Sequence, residues 1–380
     1  MIKLLHCADL HLDSPFSRCD RAEAERRRNE LRGALSSLLV YAKASQVDVV
    51  LIAGDLFDSD YVTKDTLEFL SREFEKASPV RIFIAPGNHD PIGGRTPYRA
   101  VRFSDNVHIF EEETLTKVDL PEKGAAVYGG AFLGVRRETD PLEGFHVENE
   151  DTVNILCLHG DIDTPHSEYG TVYTKDLAAS GFDYAAFGHI HKASDFLRAG
   201  KTTYAYCGCL AGRGFDETGY KSAVCGEIGK GSAALRRERF CENRYEVTKV
   251  DLDGVKSADE ARERVETACA AFGRDTSLRV VLTGNTFPSF QMDETILSSI
   301  LPKPRYLELQ NLTLPLLDFE KLEKDPGLRG EFYRQIAPLL TDGDPEKRRM
   351  ASLALKYGLA ALSGAELNLP ESLFSGGRKA

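Results

Sequence analysis

The sequence predicts an α/β protein: a two-sheet β-sandwich flanked by helices, then a small β-α-β domain and C-terminal helices. Three observations carry this. Apolar runs at Ile2–Asp9, Val47–Asp55 and Val80–Gly87 each end in a Gly or Asp turn and are separated by helical stripes. From Val107 the texture changes to strand and turn, and near Arg244 it changes again. The early runs are continuous rather than alternating, which is the pattern of parallel strands covered on both faces.

In chain order, Leu31, Leu35, Leu38, Leu39 and Ala42 form the first helical stripe, and Leu67, Leu70, Phe74 and Ala77 the second. Strands follow at Val107–Phe110, Ala125–Phe132, Val153–His159 and Phe182–Gly188, with more at Thr202–Tyr206 and Tyr220–Ile228. Tyr245–Leu252 reads as a strand, and Ser257-x-x-Glu260 is a capping box that opens a helix through Ala261, Val265, Ala268, Cys269 and Phe272. Leu278–Leu282 and Tyr306–Leu312 are return strands. After a Pro-bearing segment come two helical patterns. One carries Phe332, Ile336, Leu339 and Leu340; the other opens at Asp344-Pro345, an N-cap followed by proline, and places Met350, Leu353 and Tyr357 in one stripe. The domains read as 1–243, 244–313 and 314–380.

Composition narrows the function. The chain has 380 residues, 42% of them hydrophobic and 28% charged, with a formal charge of −11. It contains no apolar run near the ~18 residues that cross a bilayer, and its start does not read as a secretory signal, so a cytoplasmic protein without a membrane is expected. Eight cysteines with no CxxC pair make neither a disulfide framework nor a zinc ribbon; Cys7 and Cys157 read as small buried thiols. Residues 1–240 hold 29 basic and 37 acidic side chains, and residues 241–380 hold 19 and 22. Neither part is a basic nucleic-acid module, so any contact with DNA or RNA must use local patches, bound cations or a partner.

Five short motifs stand almost entirely where an apolar strand ends: Asp9-Leu-His11, Gly54-Asp55-Leu-Phe-Asp58, Gly87-Asn88-His89-Asp90, His159-Gly160-Asp161 and Gly188-His189-Ile-His191. The carboxyl ends of strands form the ligand crevice of an α/β sheet, so these motifs converge. They hold five of the nine histidines. Hard oxygen donors mixed with imidazole suit Mn, Fe or Zn, and a carboxylate has enough lone pairs to serve two ions. Any one motif alone is as well explained by a helix cap or a core histidine; the set points to a two-metal site.

This set resembles the calcineurin-like metallophosphoesterases, with their series D-x-H, G-D-x-x-D, G-N-H-D/E, H and G-H-x-H. The resemblance covers about 190 residues and implies the metallophosphoesterase fold. By motif position it implies that Asp9, His11, Asp55 and His191 hold one divalent metal ion. Asp55, Asn88, His159 and His189 would hold the second, with Mn²⁺ expected first and Fe or Zn as alternatives. It also places His89 beside the substrate phosphate as a catalytic residue, with Asp90 orienting it. The opening Leu5-His-Cys-Ala-Asp-Leu-His-Leu-Asp-Ser-Pro-Phe16, the Gly-rich stretch Cys207–Tyr220 and the appended C-terminal part further resemble SbcD-type DNA repair exonucleases, including their YhaO-like branch. Cys207-Gly208-Cys209 departs from the Pro-Gly-Ser often seen there. That resemblance implies a hydrolase acting on DNA in double-strand-break repair. Residues 244–313 would cap the nuclease domain, 314–380 would dock an SMC-like coiled-coil ATPase of the SbcC type, and a homodimer is left open. The rival readings are a phosphomonoesterase or small-molecule phosphodiesterase on the same fold, and a mainly structural subunit that anchors the ATPase.

Arginines follow the first motif (Arg18, Arg21, Arg26, Arg27, Arg28, Arg32) and the third (Arg95, Arg99, Arg102), where they can meet phosphates or form a solvated helix face. Asp58 reads as a neighbour of the metal site rather than a ligand.

Overall fold

Strand β1 (Ile2–Cys7) shows why the early apolar runs are continuous. Leu5 and Cys7 face one hydrophobic core while Ile2 and Leu4 face another, so successive side chains are buried on opposite faces. The same division holds in β2 (Val49–Ile52), where Val50 and Ile52 oppose Val49 and Leu51, and in β3 (Arg81–Ile84), where Ile82 and Ile84 oppose Phe83. A strand covered on both faces has no polar face to show. The computed structural model describes residues 1–17, 19–58, 62–94, 96–287, 290–301 and 303–362, which places Arg18, Arg95 and the end of the expected docking region outside the described residues.

The chain divides into two compact units, Met1–Arg244 and a second that begins at Tyr245. In the first unit, β1, β2, β3 and β4 (Val107–Ile109) run parallel, and β11 (Ala223–Gly229) and β12 (Ser232–Glu238) extend the sheet antiparallel in the order β12-β11-β1-β2-β3-β4. The second sheet has the order β5-β6-β7-β8-β10-β9. Its strands are β5 (Thr116–Leu120), β6 (Ala125–Gly129), β7 (Val153–His159), β8 (Tyr184–Gly188), β9 (Leu197–Ala199) and β10 (Thr202–Tyr206). The inner four are parallel, and β5 and β9 close the edges antiparallel.

Side chains of both sheets form the central core, with Leu4, Val49, Leu51 and Phe83 opposite Val127, Ile155, Cys157 and Ala186. Helices α1 (Arg21–Ala44) and α2 (Lys64–Ala77) cover the outer face of the first sheet through Leu31, Leu35, Leu38, Leu70 and Phe74. Short α3 (Thr174–Ala179) adds Leu177 to the outer core of the second sheet. This is the two-sheet sandwich flanked by helices expected from the sequence. Edge strands β5, β9 and β12 were not expected; each carries mixed polar residues with little apolar periodicity. Cys7 and Cys157 are buried free thiols.

His6 ties the sheets together inside this core. Its Nε2–H donates to the Phe187 carbonyl at 3.1 Å, and Nδ1 accepts from the Tyr184 hydroxyl at 2.8 Å. Burial brings its pKa down to about 3, so the ring stays neutral in the folded protein. The unfolded chain, with His near 6.5, binds more protons between those values, so this part of the stability is complete above about pH 6.5 and is lost as pH falls toward 3. His6→Gln keeps a donor and an acceptor without a titrating ring. Its urea-unfolding free energy is expected to fall less steeply below pH 6.5 than that of the wild type, by up to ~1.4 kcal/mol per pH unit for one proton.

The second unit contains a sheet of β13 (Arg244–Asp251), β14 (Thr276–Thr283) and β16 (Tyr306–Asn311), with α4 (Ala258–Cys269) packed on it through Ala261, Val265 and Cys269. The Ser257 side chain accepts from the Glu260 amide, as the capping box requires. Helix α5 (Glu294–Ile300) and the short pair β15 (Asn285–Thr286) and β17 (Leu314–Pro315) were not expected. Helices α6 (Phe319–Lys324), α7 (Leu328–Ile336) and α8 (Pro345–Leu362) share a small core in which Leu322, Leu355 and Leu359 are buried. The face of α8 used inside the unit is therefore Leu355–Leu359, while Met350 of the expected stripe is 63% exposed.

Candidate metal centre

Each motif follows a strand whose backbone turns abruptly at its end. Asp9, His11, Asp13, Asp55 and His189 all have positive φ, between 45° and 101°. Aspartate tolerates this region at modest cost and histidine less readily, so such residues persist where the surroundings hold them. Two glycines make the approach of the sheets feasible. A Cβ on Gly188 would strike the Ala53 carbonyl and the Ala8 side chain, and one on Gly54 would run into the His159 ring.

These turns bring side chains of both sheets together. Asp55 Oδ2 lies 3.6 Å from His11 Nε2 and 3.4 Å from His159 Nε2, so one carboxylate oxygen faces imidazoles from opposite sheets. His11 Nε2 and His191 Nε2 are 3.2 Å apart. His159 Nδ1–H donates to the Ala53 carbonyl at 2.9 Å, which turns Nε2 to Asn88 Oδ1 at 3.0 Å. Asp9 Oδ1 accepts from the His189 amide at 3.0 Å and lies 4.0 Å from His159 Nδ1. His189 stacks edge-on against His159 at 5.2 Å between ring centres, and its Nε2 faces Asp161 at 3.6 Å. The donor atoms of Asp9, His11 and His191, of Asp9, Asp55 and His159, and of His11, Asp55 and His89 each fall within 4.8 Å of one another. All seven residues expected as ligands thus lie in one cluster, with Asp55 between its two sides and His189 less tightly grouped than the rest.

The electrostatics fit divalent cations. Asp9 Oδ2 and His11 Nδ1 are buried with no hydrogen-bond partner among the described residues. Burial and the neighbouring Asp55 charge push Asp9 up to about 7, and burial also raises Asp55. Burial lowers His11, and brings His159 and His189 down to about 4, so the rings are neutral with lone pairs available. Two buried carboxylates beside these three neutral imidazoles are costly alone and suited to cations, while the hydrogen bond to Glu217 raises His191.

His89 stands apart from the buried set, with its side chain 49% exposed. Here the structure corrects the expectation that Asp90 orients it. Asp90 accepts from the amides of Asp55, Leu56, Phe57 and Gly87 and from the Tyr98 hydroxyl, so both its oxygens are committed to the backbone beneath the centre. The carboxylate that faces His89 is Asp58, 3.9 Å from Nδ1. This pairing raises His89 and lowers Asp58. The Asp90 carboxyl, filled by five donors, braces the backbone beneath the centre rather than bonding to the His89 ring.

Sequence reasoning also missed Glu217 and Arg213, which bond to His191 and to each other, and Tyr169, whose ring lies 4.8 Å from that of His189. The only available signal for the first two was their place in the Gly-rich stretch after Cys207. The arginines after the first motif serve the helix: Arg26 and Arg27 bind Glu23, Arg28 binds Glu25, and Arg32 reaches buried Asp13.

Residues 2–193 match the calcineurin-like phosphoesterases, half of the chain, and the protein belongs to that family. The fold and the clustered donors therefore define a metal-dependent phosphoester hydrolase. Among curated proteins it is similar to the uncharacterized metallophosphoesterase YhaO of Bacillus subtilis, with 27% identity over 305 residues, 77% of this chain and 74% of that one. Among solved structures it matches TT1561 of Thermus thermophilus over 63% of this chain and 99% of that chain, with 14% identity and a TM-score of 0.38. No helix among the described residues is long and apolar enough to cross a membrane.

Proposed function

We propose that the protein is a DNA nuclease that hydrolyses phosphodiester bonds at a two-ion centre and works with an SMC-like coiled-coil ATPase of the SbcC type in double-strand-break repair. The observation that carries the chemistry is Asp55 Oδ2, set between His11 and His159 from opposite sheets. In this reading Asp9, His11, Asp55 and His191 hold one ion and Asp55, Asn88, His159 and His189 the other, Mn²⁺ before Fe or Zn. When bound, such ions polarise the phosphoryl group and acidify the attacking water. His89 keeps a proton through its pairing with Asp58 and delivers it to the leaving oxygen at the open edge of the site. The buried carboxylates and imidazoles stay fixed because the turns that carry them are held from below by Asp90 and from the side by the Ala53 carbonyl.

The DNA reading is supported by the SbcD-like opening segment and by the unit that follows Arg244, which a minimal phosphatase does not need. The ATPase reading is supported by apolar side chains left outside the small helical core: Phe319 is half exposed, and Leu328 and Met350 are mostly exposed. Purified protein with Mn²⁺ is to be given linear duplex DNA, single-stranded DNA, p-nitrophenyl phosphate and bis-p-nitrophenyl phosphate in parallel. Mn²⁺-dependent DNA cleavage with weak monoester turnover is the expected result. Efficient monoester hydrolysis with intact DNA would make the protein a phosphomonoesterase. No hydrolysis alongside co-purification of a coiled-coil ATPase would make it an anchoring subunit.

A further inference from the structure

Glu217 lies in the loop between β10 and β11, only 6% exposed, and has no role in the reading above. Its Oε1 is 2.8 Å from His191 Nδ1, 2.9 Å from Arg213 Nη2 and 3.3 Å from Arg213 Nε. Its Oε2 accepts the Arg213 amide at 2.7 Å, and the Glu217 amide returns to the Gly214 carbonyl at 3.1 Å. The loop thus closes on itself and fixes the carboxylate before any other group arrives. The Arg213 guanidinium pairs with Oε1 and the Arg213 amide donates to Oε2, an arrangement that calls for a carboxylate with both oxygens accepting. An anion has no hydrogen to give, and a guanidinium has no lone pair with which to accept one. Arg213 Nη2 lies 3.2 Å from the same Nδ1, but it already donates to Oε1 at 2.9 Å, and the shorter 2.8 Å contact assigns the hydrogen to Nδ1, from which it runs to Oε1. The other tautomer would set an Nδ1 lone pair against a carboxylate oxygen at 2.8 Å.

We infer that Glu217 is the positioning residue of His191: its carboxylate fixes the hydrogen on Nδ1 and so presents the bare Nε2 to Asp9 and His11. An outer partner of this kind orients a ligating imidazole and raises its basicity, and its loss typically weakens metal binding 10–100-fold. The inference rests on the proposed centre for its consequence, but the tautomer itself is a property of the metal-free chain. It also gives part of the Gly-rich stretch after Cys207 a task in the centre rather than on DNA.

Two measurements on the full chain test it. Long-range ¹H–¹⁵N spectra of the histidine side chains, taken without metal at alkaline pH where the rings are neutral, read the tautomer. Mn²⁺ titration calorimetry reads the ions. Wild type is expected to show His191 as Nδ1–H. E217A is expected to show mixed tautomers and to bind one of the two ions about 10–100-fold more weakly, with the other unchanged. E217Q retains an acceptor for Nδ1–H in nearly the same volume and is expected to restore the tautomer and most of the affinity. If E217A unfolds, E217Q decides alone. An unchanged tautomer with wild-type affinity in E217A overturns the inference. So does an E217Q variant that folds but shows mixed tautomers and the full loss, since the Arg213 ion pair would then be what matters. A wild type that binds no metal but shows the fixed tautomer would sink the metal centre and leave the positioning intact.

Discussion

Asp55→Asn is expected to lose nearly all turnover and most bound metal. Asp55 Oδ1 accepts the His89 amide at 3.0 Å, and an asparagine oxygen can keep that bond. What the substitution removes is the charge and the second oxygen that faces both His11 and His159. Loss of an outer partner already weakens metal binding up to ~100-fold, so loss of a shared ligand should exceed that for both ions. The metal-free variant should nevertheless be at least as stable as the wild type. Burial opposes the Asp55 charge, and the Asp9 carboxyl is raised in part by that same charge. Metal analysis and thermal unfolding check the two halves together. Two ions bound at wild-type affinity would remove Asp55 from its shared position.

His89→Gln is expected to lower kcat by ~10²–10⁴ while leaving metal content and DNA affinity near wild type, the loss usual for a general acid. The pH profile carries a further signature. Pairing with Asp58 raises the pKa of His89, so the ring stays protonated to higher pH than an isolated histidine. A general acid works only while protonated, so wild-type kcat should fall as pH rises through that raised value. The glutamine variant should lack this alkaline limb. Asp58→Asn should keep the limb but move it to lower pH. His89 also falls within 4.8 Å of His11 and Asp55 donor atoms, so loss of metal along with activity would place it among the ligands instead.

Much of this centre was legible because its chemistry is carried by short motifs at strand ends. Each apolar run announced a buried parallel strand, and the Asp, Asn or His at its end fell at the crevice by topology alone. The sandwich was legible for the same reason, since strands buried on two faces leave a continuous apolar trace. The parts that escaped depend on where a side chain turns. Asp90 sits beside His89 in sequence yet faces the other way, because the backbone after Gly87 folds its carboxyl beneath Asp55. Glu217 lies 26 residues from His191 in a loop without apolar periodicity, and no local pattern joins them. In α8 the periodicity was real but admitted two faces, and packing against Leu322 selected Leu355 and Leu359 over the stripe through Met350.

The five bonds to the Asp90 carboxyl reach beyond geometry. Three of them hold successive amides after β2 and a fourth holds the turn after β3, so two segments more than thirty residues apart share one acceptor. Neither segment can open without leaving the same buried carboxyl group short of its donors. Their amide protons should therefore exchange with solvent as one cooperative block, on a single opening event, rather than fraying turn by turn. The second and third motifs, written apart in the sequence, form one dynamic body in the folded chain.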